Sequence, residues 1–390
     1  MSSSRVPGLW LISLAAFSSM ASMRVCDPML VALATEFQVS VGEASRVISA
    51  FAVAYGCLQL FYGPLGDRVG KLRVINAAAL GCAVFSAMTA MASDFHLLVI
   101  ARAAMGASAA GIIPLSMAWL GDQVSYDRRQ ETLAKLMSAT VTGMMAGQWF
   151  GGWAVESLGW RNAFVVLSCM FATACALLFV RMGAQRRAVP VHSEGSYWQA
   201  ALGSIGLLRV PRVRWVLTVT GLEGAMAFGT LAFVPSQLVQ HFHLSAALAG
   251  GLMALYGIGG LFYSQMARRW LGWFGERGLA RLGSALVAMG LLLLAWGQHP
   301  VLAASGCLAA GLGFYMLHNT LQTQATQMAP HARGSAVTLF ACLLFFGQST
   351  GVLLVAQTVD HGGLEWAYTV SAIGMVLLGS VIARRVQGKA

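Results

Sequence analysis

The chain has 390 residues, a formal net charge of +11, 57% hydrophobic residues and only 10% charged ones, with a mean hydropathy of +0.69. A soluble domain carries about 25% charged residues to cover its surface, so this composition excludes the ordinary soluble classes and calls for a non-aqueous solvent. The seven cysteines sit in apolar stretches with no CxxC pair, so no disulfide framework, metal site or cofactor is expected.

Apolar runs of roughly twenty residues, enough to cross about 30 Å of hydrocarbon, recur along the chain. They predict twelve transmembrane helices in an all-α membrane protein, at about 9–32, 47–65, 74–92, 96–120, 132–155, 162–181, 215–238, 249–267, 279–297, 301–325, 335–357 and 366–384. The first run is too long for the core of a cleavable leader, and other spans follow it. One long basic connection separates six spans from six. It sets the expected division into an N-terminal bundle (1–181), a linker (182–214) and a C-terminal bundle (215–390). Within the linker, SYWQAALGSIGLL is expected to lie as an interfacial helix.

With the N-terminus inside, 21 of the 25 Lys and Arg residues fall on the inner side and only Arg46 and Arg161 on the outer. That asymmetry predicts two cytoplasmic termini, and it turns the basic charge into a topological signal rather than a nucleic-acid footprint. The halves also echo each other. AGQWFG (146–151) recurs as FGQSTG (346–351), and RNAF (161–164) has a counterpart in EWAY (365–368). A parallel duplication with a solute path between the two six-helix bundles is therefore expected.

Ionisable residues within spans are costly, and each is a functional candidate. There are Arg24 and Asp27 in the first span, Arg102 in the fourth, Glu223 in the seventh and His318 in the tenth. At about 1.5 Å per residue, Asp27 and Arg102 both lie roughly 12–14 Å below the outer boundary, so they are expected to form one electrostatic unit. Arg24, three residues before Asp27, shares its face. Glu223 and His318 belong to the inner half, where Asn319 and Gln322 add polar groups and Gln322 is expected on the face of His318. The competing reading is static: a buried network holding the first and fourth helices together, and a histidine bonded to backbone. Gln148 and Gln348 are expected as helix-packing hydrogen bonds. Trp119, Trp149, Trp153, Phe233 and Tyr256 are expected either to line a cavity or to anchor the interface.

The stretch GPLGDRVGKLR (63–73) resembles the loop signature of the major facilitator superfamily, through Gly63, Leu65, Asp67, Arg68, Gly70 and Lys71. LVIARAAMGASAA (98–110) is similar to the family's fourth-helix signature, with Met105 as a departure. GMMAGQWFGG (143–152) resembles its glycine-rich antiporter signature, with Gln148 where proline is typical, and GWRNAF (159–164) resembles the opening of its sixth helix. The resemblance is nearest to the drug/proton antiporter and sugar-efflux branch, and it covers the whole chain. It implies two six-helix bundles. It implies a latch of Gly63, Asp67, Arg68, Gly70 and Lys71, with two helices nearly touching and Asp67 facing the start of the eleventh helix near Gly334. It also implies a packing motif of Gly143, Gly147, Gln148, Gly151 and Gly152.

The function so implied is secondary active export of small drug- or metabolite-like molecules by proton-coupled alternating access. The expected setting is a monomer in a bacterial inner membrane, with small solute, protons and lipid as its partners. Cations flank Asp27 and none lies near Glu223 in sequence, so Glu223 is expected to carry the proton while Asp27 gates or reads the substrate. Two buried arginines against one aspartate keep open an importer of a small anion. An intramembrane enzyme is the distant alternative, and the sequence lacks the constellation it needs.

Overall fold

The computed structural model describes residues 8–124, 126–184, 203–361 and 363–386, with side chains undescribed at 126–130 and 182–184. All of its regular structure is helical. Ten stretches among the described residues are long and apolar enough to cross a membrane. Large apolar side chains such as Phe179, Val180, Leu354, Val370 and Leu377 stand exposed around the molecule. A surface of that kind needs lipid rather than water against it.

The first stretch is not one continuous helix. α1 (Leu9–Arg24) gives way to a 3-10 turn at Asp27–Met29 before α2 (Leu30–Phe37). Pro28 lacks the N–H that would continue the ladder, so the break falls beside the buried carboxylate of Asp27. α3 (Val41–Ala44) leads into α4 (Arg46–Val69), which runs through Pro64. Most of the expected 63–73 loop is therefore the end of α4, and the turn into α5 (Lys71–Ala90) is made at Gly70, with φ 102° and ψ 127°. No residue with a Cβ adopts that conformation without strain. α6 (Phe95–Ala109), α7 (Ile112–Gln123), α8 (Tyr126–Ser157) and α9 (Trp160–Ala184) follow.

Residues 185–202, which hold most of the expected linker and the first part of its interfacial helix, lie outside the described residues; Ser204–Arg209 is a short 3-10 helix. Next come α10 (Pro211–Leu231), α11 (Val234–Phe242), α12 (Ala246–Leu252) and α13 (Ala254–Trp296). α13 spans two expected helices and breaks only at Gly275, with φ 63° and ψ 177°. α14 (Pro300–Gln327), α15 (Arg333–Asp360) and α16 (Leu364–Arg385) complete the chain.

Two helix crossings position the site, and they share one register. On α8, Gly143, Gly147 and Gly151 lie against the carbonyls of Phe17, Ala21 and Val25, leaving no room for a Cβ. On α15, Gly347 and Gly351 lie in the same way against the carbonyls of Gly221 and Ala225 on α10. Each pair is 126 residues apart in sequence (147 less 21, 347 less 221). One hydrophobic core is built on residues from Val213 to Val386, and others on residues from Leu11 to Leu178. A further core joins Val25, Met29 and Val47 to Ala232, Phe233, Val352 and Val355.

Candidate functional site

The break after α1 places two charges side by side in the interior. Asp27 is fully buried, and its Oδ2 accepts from Arg24 at 3.4 Å and from the Gln148 amide at 3.0 Å. Gln148 thus does more than pack helices: it reaches from α8 to hold the carboxylate. Removing one partner of a buried charge leaves an uncompensated ion, so this triad holds only as a set.

Arg102 goes elsewhere. It is fully buried, and its Nη1 donates to the Ser22 carbonyl at 3.0 Å, its Nε approaches the Val47 carbonyl at 3.4 Å, and its guanidinium lies 4.4 Å from the Phe51 ring centroid. Asp27 and Arg102 still act on each other electrostatically, as expected, but without a direct ion pair between them. Arg102 ties α6 to backbone on α1 and α4, and Arg24 is the ionic partner of Asp27.

A second pair sits across the interior. Glu223 on α10 is fully buried, and its Oε2 lies 3.0 Å from Nδ1 of His318 on α14. The imidazole stacks on Phe314 at 5.0 Å and leans on Phe340 at 5.3 Å, with its side chain 17% exposed. The two carboxylates are joined by a file of side chains. The Arg24 guanidinium lies 4.6 Å from the Phe228 ring, Phe228 meets Phe314 at 4.8 Å, and Phe314 stacks on His318. A cation on an aromatic face is attracted by the ring quadrupole, so Phe228 holds Arg24 as well as covering it.

Asn319 turns away to donate to the Tyr263 hydroxyl at 3.0 Å, and Gln322 is exposed, so the expected His318–Gln322 face does not converge. Among the aromatics, Tyr256 is at the site, with its ring 5.9 Å from Phe314. Trp149 stacks on Trp153 and is half exposed, Phe233 is core, and Trp119 packs near Gly8 and Arg181. Several buried polar atoms find no partner among the described residues: Oδ1 of Asp27, Oε1 of Glu223, Nε of Arg24, the Tyr256 hydroxyl and both amide atoms of Gln348. Phe228, Phe314 and Phe340 were missed in the sequence, where a phenylalanine in an apolar span carries no signal of its own.

The expected latch is not engaged. The Asp67 side chain is 58% exposed and pairs at 3.7 Å with Lys71, which reaches Asp122 at 2.5 Å. Nothing lies within 4 Å of a Cβ built at Gly334 or at Gly63. Asp67 pairs with Lys71 rather than with the start of α15, while α4 and α15 do meet closely farther along, where Gly56 lies against Cys342 and Phe345. Arg68 lies beside Asp67 on the last turn of α4.

A multi-span helical membrane protein with paired charges buried between its helices has the architecture of a transporter. The model of the Major Facilitator Superfamily matches residues 12–352, and the chain belongs to that family. An uncharacterized transporter, YgaY of Escherichia coli, is 26% identical over 96% of this chain and 92% of its own. The Bacillus subtilis multidrug efflux protein YfmO is 22% identical over 97% and 93%. The crystal structure of the nucleoside transporter NupG shares the fold, with a TM-score of 0.79 at 14% identity, covering 96% of this chain and 98% of that one.

Proposed function

We propose that the chain is a proton-coupled exporter of small organic molecules working by alternating access. The observation that carries the reading is the fully buried Glu223 bonded to the partly exposed His318. A carboxylate in that position gains or loses a proton at the price of rearranging its partner, which is how a proton step is tied to a conformational one. The file from His318 through Phe314 and Phe228 to Arg24 and Asp27 gives that rearrangement a route to the other carboxylate. The likeness to a multidrug efflux protein supports export.

In this reading the ten candidate spans become twelve, with α8 as one more and the break at Gly275 dividing α13. The matched crossings of α8 on α1 and α15 on α10 support two duplicated six-helix bundles, 1–181 and 215–390, joined by 182–214. Both termini face the cytoplasm of a bacterial inner membrane, and the working unit is a monomer. The chain works as a transporter and not as an enzyme.

The second reading is import of a small anion. It rests on the Nε of Arg24 and Nη2 of Arg102, buried guanidinium nitrogens without partners among the described residues. A thermal-shift screen of organic cations, neutral compounds and carboxylates on purified protein finds ligands, because a ligand of the native state raises the melting temperature by mass action. The ligands are then assayed in proteoliposomes under an imposed pH gradient. Export predicts flux of a ligand against the proton gradient. Uptake together with protons, restricted to carboxylates, selects the importer. Flux indifferent to the gradient contradicts both.

A further inference from the structure

The halves are joined at one end by two matched polar contacts. At the last residue of α15, Asp360 accepts from the Ser40 hydroxyl at 2.7 Å through Oδ2 and from the Gly42 N–H at 2.9 Å through Oδ1. Near the end of α8, Glu156 accepts from the Ala247 N–H at 3.1 Å. In each case the receiving segment starts with a serine cap. Ser40 accepts from the Glu43 N–H at 2.9 Å, and Ser245 accepts from the Leu248 N–H at 3.2 Å. The N–H that each carboxylate takes is two residues after that serine.

Packing around the contacts is matched too. Gly42 lies against the Ala356 carbonyl and the Asp360 carboxylate, while Gly152 lies against the Ala246 carbonyl and Gly250 against the Gln148 carbonyl. Backbones of opposite halves therefore meet directly at this end. At the other end Asp67 pairs within its own neighbourhood and Gly334 has open space around it. The molecule is shut at the Ser40–Asp360 end.

We propose that Asp360 and Glu156 are a two-part latch that holds this end closed and must release in every transport cycle. The inference rests on the alternating-access reading given above. A carboxylate accepting backbone and hydroxyl hydrogens makes stronger bonds than a neutral acceptor, and each of these bonds runs between halves rather than within one. Both carboxylates are exposed, so water can replace their partners when the halves part. The latch therefore shifts the balance between conformations without fixing the fold.

The test places spin labels at Ser93→Cys and Gln298→Cys, exposed positions in loops of opposite halves, on a background without native cysteines. Double electron–electron resonance is recorded on the full chain in lipid nanodiscs. Against the labelled parent, Asp360→Ala and Glu156→Ala are each expected to raise the long-distance population several-fold, with a larger rise in the double variant. Asp360→Glu, which keeps the carboxylate, restores the parent distribution. Ser40→Ala, which removes one donor and the cap of α3 but no charge, gives a smaller rise and serves if the double variant does not fold.

A double variant with the parent's distribution overturns the latch. The alternating-access reading is judged apart, by whether the parent gains a second distance when the pH is stepped. A second distance in the parent with no response in the variants sinks the latch alone. A single distance in every sample sinks both.

Discussion

Asp27 is enclosed on every side, so its charge depends on the two donors that reach it. Gln148→Leu is expected to cost about 1.5–3 kcal/mol, the usual worth of a hydrogen bond to a charged group. Combining it with Asp27→Asn, which removes the charge it serves, should recover part of that loss. A double-mutant cycle read by thermal unfolding checks this, and simple additivity would mean that Gln148 does not serve Asp27.

The recurrence of Gln148 as Gln348 sharpens the point. Counting back from Gln348 by the spacing that separates Gln148 from Asp27 arrives at Ala227, so the second amide is buried with no carboxylate to hold. Ala227→Asp is then expected to be tolerated where a buried aspartate ordinarily unfolds a helix bundle. Its tolerance should vanish in Ala227→Asp with Gln348→Leu. Equal yields and melting temperatures for the two variants would contradict the matching. The charges themselves were legible in the sequence because ions in apolar spans stand out. Their partners were not. Depth places Arg102 close enough to Asp27 to act on its charge, but depth says nothing of azimuth: the helix break beside Pro28 turns Asp27 toward Gln148, while Arg102 reaches the carbonyls of Ser22 and Val47.

Helices depend on a few positions where the backbone comes too close for a side chain. Gly147→Val pushes against the Ala21 carbonyl and Gly347→Val against that of Gly221, and neither carbonyl can move alone. Overpacking of this kind costs about 1–3 kcal/mol or more. Both variants should therefore lose folded yield in size-exclusion chromatography, while Gly63→Val, with nothing within 4 Å, should keep it. Gly70→Ala is expected to be costly by strain rather than contact, by about 1–3 kcal/mol. Existence and order of these elements could be read from hydropathy, since twenty apolar residues have one solution in lipid. Breaks could not. Asp27–Met29 and Gly275 interrupt runs whose composition is uniform, and the motif at 63–69 continues α4 because its residues tolerate a helix end as well as a loop.

Among the described residues the halves meet directly at the Ser40–Asp360 end, while Asp67 pairs with Lys71 and Gly334 has no close neighbour. We propose that in a second conformation α4 approaches the start of α15 and Asp67 meets the positive end of that helix, where a carboxylate is stabilised. Asp67→Asn is accordingly expected to leave the present conformation unchanged and to depopulate the other one, measured by spin-label distances between α4 and α15 ends. A variant that populates the second conformation as well as the parent would remove Asp67 from the account.

In the proposed mechanism, proton coupling runs through Glu223 and His318. Exchange at equal concentrations needs no net proton movement, whereas accumulation against a gradient does. The most direct measurement takes a ligand found by thermal shift and compares Glu223→Gln with the parent in proteoliposomes, for exchange and for accumulation driven by an imposed pH gradient. Glu223→Gln should keep exchange and lose accumulation, and Asp27→Asn should lose both. If Glu223→Gln still concentrates the ligand under the proton gradient, Glu223 does not carry the coupled proton.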